Sequence, residues 1–158
     1  GIADNWADAL YKGFRGSGIK IRGGDDGKGT IAVSLRERDK EESVPIVRRY
    51  AKAGFRIAAT AGTYDYLMEH GIDCVRIGLP SDPSPNIMDA LREGSLTLVI
   101  NTPTRGRDKT RNGFRIRRAA VEHNCACLTS LDTAAAFAAC LERGVGKVLQ
   151  PLDIARIL

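Results

Sequence analysis

Two threonines, Thr60 and Thr63, flank a pair of small residues in the stretch T-A-G-T, and Gly62 lets the backbone approach whatever sits there. The stretch follows an apolar run and opens a helical one. At a helix N-terminus, unpaired backbone N–H groups and the positive end of the dipole favour an anion, and the two hydroxyls add donors. Alone, the motif reads equally well as a turn in which Thr63 merely caps its helix. Company changes the balance. Lys40, in the loop after a neighbouring apolar run, supplies a cation, and Asn101 supplies an amide that both donates and accepts, suited to a base or a ribose. With Ser34 and Thr102, these residues describe one shared anion-binding edge.

Such an edge exists only if the elements carrying these residues end side by side. From Thr30 the apolar run TIAVSL leads into a helix whose start has Asp39 three residues before Glu42, a capping-box-like pair, and whose end is Gly54. A strand over Phe55–Thr60, a helix over Thr63–Glu69 closed by Gly71, and a strand over Asp73–Ile77 follow. Beyond the loop GLPSDPSP come a helix over Asn86–Glu93, the strand Leu96–Asn101, a helix near Arg115–His123, a strand over Ala126–Leu128 and an Ala-rich helix from Thr133 to about Arg143, capped by Asp132. Apolar strands alternating with helices predict an α/β fold of three layers, a mainly parallel sheet with helices on both faces. In such sheets ligands sit beyond the carboxyl ends of the strands, where the loops bearing Ser34–Lys40, Thr60–Thr63 and Asn101–Thr102 should converge.

The chain start differs in texture. Asp4 to Gly13 predicts a short helix, with Asp4 as its cap and Trp6, Ala9 and Leu10 on one side. The run GFRGSGIKIRGGDDGKG follows, with seven glycines in a charged setting, and reads as a linker.

Composition narrows the function classes. At 158 residues and 43% apolar content, one globular core is expected. No apolar run approaches the roughly 20 residues of a membrane span, and the chain reads as cytoplasmic. Cys74, Cys125, Cys127 and Cys140 lack a second Cys/His pair at zinc-like spacing and read as small buried apolar residues. His70 and His123 fall near the polar ends of predicted helices and read as surface residues. The formal charge of +5 is concentrated between Arg105 and Arg118, where seven basic residues face only Asp108, so the remainder sums to −1. One basic segment, with no aromatic interleaving beyond Phe114, is a poor match for a nucleic-acid surface.

The segments S-L-R-E-R-D-K (Ser34–Lys40), A-T-A-G-T (Ala59–Thr63), L-V-I-N-T-P (Leu98–Pro103) and I-R-R-A-A (Ile116–Ala120), in this order, resemble the C-terminal allosteric domain of the carbamoyl phosphate synthase large chain, of the methylglyoxal-synthase-like superfamily. The similarity covers roughly Thr30 to Arg143, and Asp8 to Lys12 resembles the end of that enzyme's second synthetase half. The resemblance implies residues 1–13 as the remnant of a synthetase domain, 14–29 as a Gly-rich linker, 30–144 as an effector-binding domain and 145–158 as a tail. It implies a parent that makes carbamoyl phosphate from glutamine, bicarbonate and ATP, with Mg or Mn, for pyrimidine and arginine synthesis. The tail domain would do no chemistry and hold no cofactor. Its partners would be a nucleotide such as UMP or IMP, the parent's other domains and the glutaminase small subunit, with no nucleic acid or membrane.

By motif, Ser34, Lys40, Thr60, Thr63 and Asn101 would hold phosphate and ribose, with Gly62 and Thr102 beside them and Asn112 and Arg117 as further contacts. Three positions depart from the family pattern. Gly78-Leu79-Pro80-Ser81 lacks the lysine that nucleotide-binding members tend to carry, Asn112 stands where an aspartate is frequent, and Pro103 replaces a hydroxyl residue. The basic segment either substitutes arginines for that lysine, or pairs Arg117 and Arg118 with carboxylates of the parent's other domains, or is a solvated loop.

Methylglyoxal synthase itself would need a carboxylate base and a histidine acid beside the phosphate loop. The strand to the site ends in Asn101-Thr102-Pro103 without an acid, neither histidine lies in a predicted site loop, and Asp82 is the nearest candidate. A cyclohydrolase-like purine enzyme domain shares T-x-G-T but resembles the flanking sequence less.

Overall fold

The computed structural model describes residues 6–16, 29–103 and 111–142. Five strands, β1 (Thr30–Ser34), β2 (Arg56–Thr60), β3 (Val75–Ile77), β4 (Leu96–Asn101) and β5 (Ala126–Leu128), form one sheet in the order β3-β2-β1-β4-β5. Every pairing is parallel, with Val33 opposite Ala59 and Ser34 opposite Asn101. The helices are α1 (Trp6–Gly16), α2 (Lys40–Lys52), α3 (Ala61–Glu69), α4 (Ile87–Arg92), α5 (Asn112–Glu122) and α6 (Leu131–Glu142), and a short 3-10 turn, Glu37–Asp39, leads into α2.

Successive side chains of a strand point to opposite faces, and this alternation builds two cores. Ile31 and Val33, Ile57 and Ala59, and Leu98 and Ile100 face Tyr50 of α2, Leu67 of α3 and Phe137 of α6. Ala32 and Val99 face Ile87 and Leu91 of α4 and Ile116 of α5. A fully buried residue of this size contributes roughly 1.5–3 kcal/mol, so both faces must be covered. The expected three-layer architecture is therefore present. Travel across the sheet runs one way from β1 to β3 and then reverses to β4 and β5; with right-handed crossovers, that reversal sends the helices to the other face. The chain leaves β1 toward α2 on one face and leaves the adjacent β4 toward α5 on the other, so the reversal opens between these two strands.

Several local expectations shift. The helix expected to end at Gly13 runs to Gly16 and packs on α6, with the Phe14 and Phe137 rings edge to face at 5.0 Å. Its buried residue is Tyr11, while Trp6 is exposed. Asp4, most of the expected linker, the segment 104–110 and the tail lie outside the described residues. Asp39 does not cap α2 through its side chain, because its carboxylate is taken by Arg36. The cap of α6 is Ser130, whose hydroxyl accepts the Thr133 N–H at 3.2 Å, in place of Asp132. Helix α3 starts at Ala61, two residues before Thr63, and α5 starts at Asn112 rather than near Arg115. Asn86 and Asp89 form a reciprocal capping box on α4, with Asn86 Oδ1 accepting the Met88 N–H at 2.8 Å.

Candidate functional site

Burying a polar side chain is costly unless it is hydrogen-bonded, so buried polar groups mark places where the fold holds them for a reason. The buried polar and charged residues of the described chain are Ser34, Asp39, Lys40, Ser43, Thr60, Thr63, Asn101 and Thr102. Six of these were singled out from the sequence. They cluster at the carboxyl ends of β1, β2 and β4, on both sides of the point where the chain reverses direction across the sheet.

Contacts knit the group together. Thr60 Oγ1 donates to Ser34 Oγ at 3.1 Å, joining the ends of β2 and β1. Asn101 Nδ2 donates to the Ser34 carbonyl at 3.1 Å, joining β4 to β1. Arg117 Nη1 donates to Asn101 Oδ1 at 2.6 Å, reaching the same amide from α5. A Cβ built on Gly113 would stand 3.3 Å from Arg117 Nη1 and 3.4 Å from Asn101 Oδ1, so the start of α5 lies close against this pair. Thr63 is no cap: inside the first turn of α3, its hydroxyl accepts the Leu35 N–H at 3.0 Å and pins the loop after β1. The residue at the N-cap is Thr60, whose hydroxyl goes to Ser34 instead.

Lys40 opens α2, with its main-chain carbonyl accepting from Ser43 Oγ at 2.6 Å. Its ammonium is buried, 2.6 Å from Glu37 Oε2, and stands 5.9 Å from the centre of the Tyr66 ring. A Cβ built on Gly62 would lie 3.4 Å from Lys40 Nζ, which puts the ammonium beside the first turn of α3. Thr102 accepts the Arg36 N–H at 3.1 Å, and Arg36 Nη1 donates to the Pro103 carbonyl at 3.1 Å.

Asp39 completes this knot. Burial works to raise its carboxyl, but hydrogen bonds from Arg36 and Thr102 and the charges of Arg36 and Arg38 outweigh it and hold the group below its ordinary value of 3.8.

Asn112 turns elsewhere, donating to Ser81 Oγ at 3.0 Å and tying α5 to the loop after β3. Arg118 pairs with Glu122 of its own helix at 2.7 Å. Both histidines are exposed at the carboxyl ends of α3 and α5, the opposite end of the layers from this edge. Cys74 and Cys140 are buried, Cys125 and Cys127 half-buried, and burial pushes the last two thiols up to about 11. Among the described residues no group of His, Cys, Asp and Glu could hold a metal ion, and no helix is long and apolar enough to cross a membrane.

Glu37, Arg36 and Gly113 belong to this edge and were not singled out from the sequence, and Asp39 was read only as a helix cap. The i, i+3 spacings Arg36–Asp39 and Glu37–Lys40 were the available signal for the charged members. Chemically, the arrangement can receive an anion between a buried ammonium and a helix N-terminus. Its buried carboxylate, Asp39, is held ionised beside Arg36 and Arg38.

A three-layer α/β/α domain with a buried polar edge at its topological switch point is the class that fold and site define. The chain belongs to the MGS-like domain family, whose profile matches residues 42–129. It is 40% identical over 158 residues to the carbamoyl phosphate synthase large chain of Agathobacter rectalis, covering 99% of this chain and 14% of that protein. The large chain of Clostridium perfringens strain 13 is 43% identical over 133 residues, covering 84% of this chain and 12% of that protein. The chain thus spans about one-seventh of the length of these relatives. Two solved structures share the fold: methylglyoxal synthase from Elizabethkingia anophelis (TM-score 0.55, 18% identity, 68% of this chain and 74% of that one) and ForH (TM-score 0.54, 17% identity, 81% and 86%).

Proposed function

We propose that this chain is the effector-binding regulatory domain of a glutamine-hydrolysing carbamoyl phosphate synthase large chain, taking a phosphorylated effector of the UMP or IMP type at the edge described above. The observation that carries this reading is the buried Lys40 ammonium beside the N-terminus of α3, within a cluster of six anticipated polar residues. Identity to large chains across nearly the whole sequence supports the parent. In this reading Lys40, Thr60, Gly62 and Thr63 surround the phosphate, Ser34, Asn101 and Thr102 frame the sugar side, and Asn112 and Arg117 border it from α5. The parent's other domains and its glutaminase small subunit are the partners, in the cytoplasm, and ATP with Mg or Mn serves those other domains. Effector and remote site would be coupled by about 1–3 kcal/mol.

A lyase acting on a triose phosphate would need a free carboxylate and a histidine at this edge. The nearest buried carboxylate, Asp39, is paired with Arg36, and both histidines sit at the far end. The deciding experiment is calorimetric titration of the 158-residue chain with UMP, IMP and inorganic phosphate. Saturable nucleotide binding, lost in Lys40→Ala, is expected; unchanged binding in Lys40→Ala would overturn the assignment, and methylglyoxal formed from dihydroxyacetone phosphate would replace it with the lyase.

A further inference from the structure

We propose that α1 is the output element of this domain, its docking on α6 being coupled through α2 to occupancy of the polar edge. This rests on the effector-binding reading above and names the segment through which that regulation leaves the domain.

Helix α1 is one that its own sequence cannot sustain. It has 11 residues, with Gly13 in its interior, and an isolated helix shorter than about 12–15 residues is marginal in water. What holds it is burial on α6. Tyr11 is buried, Leu10 and Phe14 pack on the same core, and the Phe14 ring meets Phe137 edge to face at 5.0 Å. Folding of α1 and its docking are therefore one event, and the segment has two states, docked and helical or released and irregular.

The surface on which α1 docks is held by α2. Arg49 donates from Nε and Nη2 to the two Glu142 carboxylate oxygens, each at 2.7 Å, and from Nη1 to the Ala135 carbonyl at 3.3 Å. Tyr50 is wholly buried; its hydroxyl donates to the Ala134 carbonyl at 2.6 Å, and its ring stacks on Phe137 with centroids 6.4 Å apart. Two consecutive residues of α2 thus grip α6 near its start and at its last residue. Phe137 stands against the α2 tyrosine and the α1 phenylalanine alike.

The same helix begins at the polar edge. Lys40 is its first residue, with Ser43 Oγ donating back to the Lys40 carbonyl at 2.6 Å. Tyr50 follows about 15 Å further along, at about 1.5 Å per residue. A ligand that holds Lys40 orders α2, and through the grip of Arg49 and Tyr50 it leaves α6 less freedom. Docking of α1 then has less ordering to supply, which makes the two events cooperative without a change of architecture. By reciprocity, a docked α1 favours occupancy by the same factor. The sequence resemblance assigns α1 to the end of the parent's synthetase half, so its capture or release is felt there.

The test follows amide exchange of Leu10 to Phe14 in the 158-residue chain, with and without saturating UMP or IMP, beside calorimetric affinities. Amides of α1 exchange by local release, well below the opening of the sheet, so a remote ligand slows them only if release and occupancy are coupled. The expected slowing is about fivefold, the low end of typical couplings. Phe14→Ala, whose faster α1 exchange verifies release, is expected to bind the nucleotide more weakly, up to about the same factor. The double variant Arg49→Ala/Tyr50→Phe is expected to bind, with α1 exchange now indifferent to the nucleotide. Exchange of α1 unchanged by bound nucleotide, or unchanged affinity in a Phe14→Ala chain whose α1 is released, overturns the proposal while the anion site stands. A double variant that binds and still slows α1 overturns the route through α2. If the double variant does not fold, the wild-type and Phe14→Ala measurements decide alone. No binding of either nucleotide by wild type removes the effector-binding reading and the proposal with it.

Discussion

Asn101 accepts the Arg117 guanidinium on its oxygen at 2.6 Å and gives its N–H to the Ser34 carbonyl at 3.1 Å, so one amide ties α5 to the ends of β4 and β1. Arginine has only donors and a carbonyl only accepts, which fixes the orientation of the amide. Asn101 is 2% exposed, and neither partner is readily replaced by water. Asn101→Ala is expected to destabilise the chain by about 1–3 kcal/mol, the cost of leaving such groups unpaired. Urea unfolding followed by circular dichroism measures this; a loss near zero would show that the amide is dispensable to the fold.

Thr63 holds the loop after β1 through the Leu35 N–H. Thr63→Val keeps the shape and removes the acceptor, with an expected loss of about 1 kcal/mol. Thr63→Ser retains the oxygen and should recover most of that loss. If Thr63→Ser melts below Thr63→Val, the methyl group and not the hydrogen bond is what matters.

Asp39 should give the chain an acid-sensitive component of stability. Its folded carboxyl lies below the ordinary 3.8 because hydrogen bonds from Arg36 and Thr102 and the arginine charges overcome the effect of burial. A carboxyl depressed by folding contributes its full stabilisation above the unfolded value and loses it as pH falls through the folded value. Denaturation midpoints of wild type are therefore expected to drop from pH 3.8 downward, and those of Asp39→Asn to start lower and fall less over that interval. Parallel curves would assign the acid limb to other carboxylates.

Phe14 and Phe137 join α1 to α6 edge to face. Phe137 is 1% exposed, and Phe137→Ala is expected to cost about 3–5 kcal/mol. Phe14 is half-buried, and its loss should cost less. A double-mutant cycle should return about 0.5–1.5 kcal/mol of coupling beyond the single effects; additivity would mean that the ring contact itself contributes nothing.

The fold was legible because its signals are local. The apolar strands, the glycines after α2, α3 and α4 (Gly54, Gly71 and Gly94, all at positive φ), and their order are readable from neighbours in the chain. The polar edge was legible as a set of residue types at strand ends, which is why Ser34, Lys40, Thr60, Thr63, Asn101 and Thr102 were named together. What each does was not. Thr63 answers an N–H 28 residues away, and the Ser34 carbonyl an amide 67 residues away. No window along the chain contains both halves of such a bond. Asp39 shows the converse failure: its spacing to Glu42 suggested a cap, but Arg36, three residues before it, offered the carboxylate a charge-assisted bond instead.

Strand β1 is walled in by β2 and β4 along its edges and by a helical layer on each face, with Ile31, Ala32 and Val33 wholly inaccessible. In isotope exchange this makes it, with β4, a slow clock among the described residues. Its amides can meet deuterium only when the whole sheet comes apart, so their exchange rates report global opening, while β3 and β5 at the margins report local fraying. An effector that binds only the folded state would slow exchange of β1 by a factor of one plus the ratio of its free concentration to Kd, and any further slowing confined to the amides near Gly62 would report local stiffening of that loop.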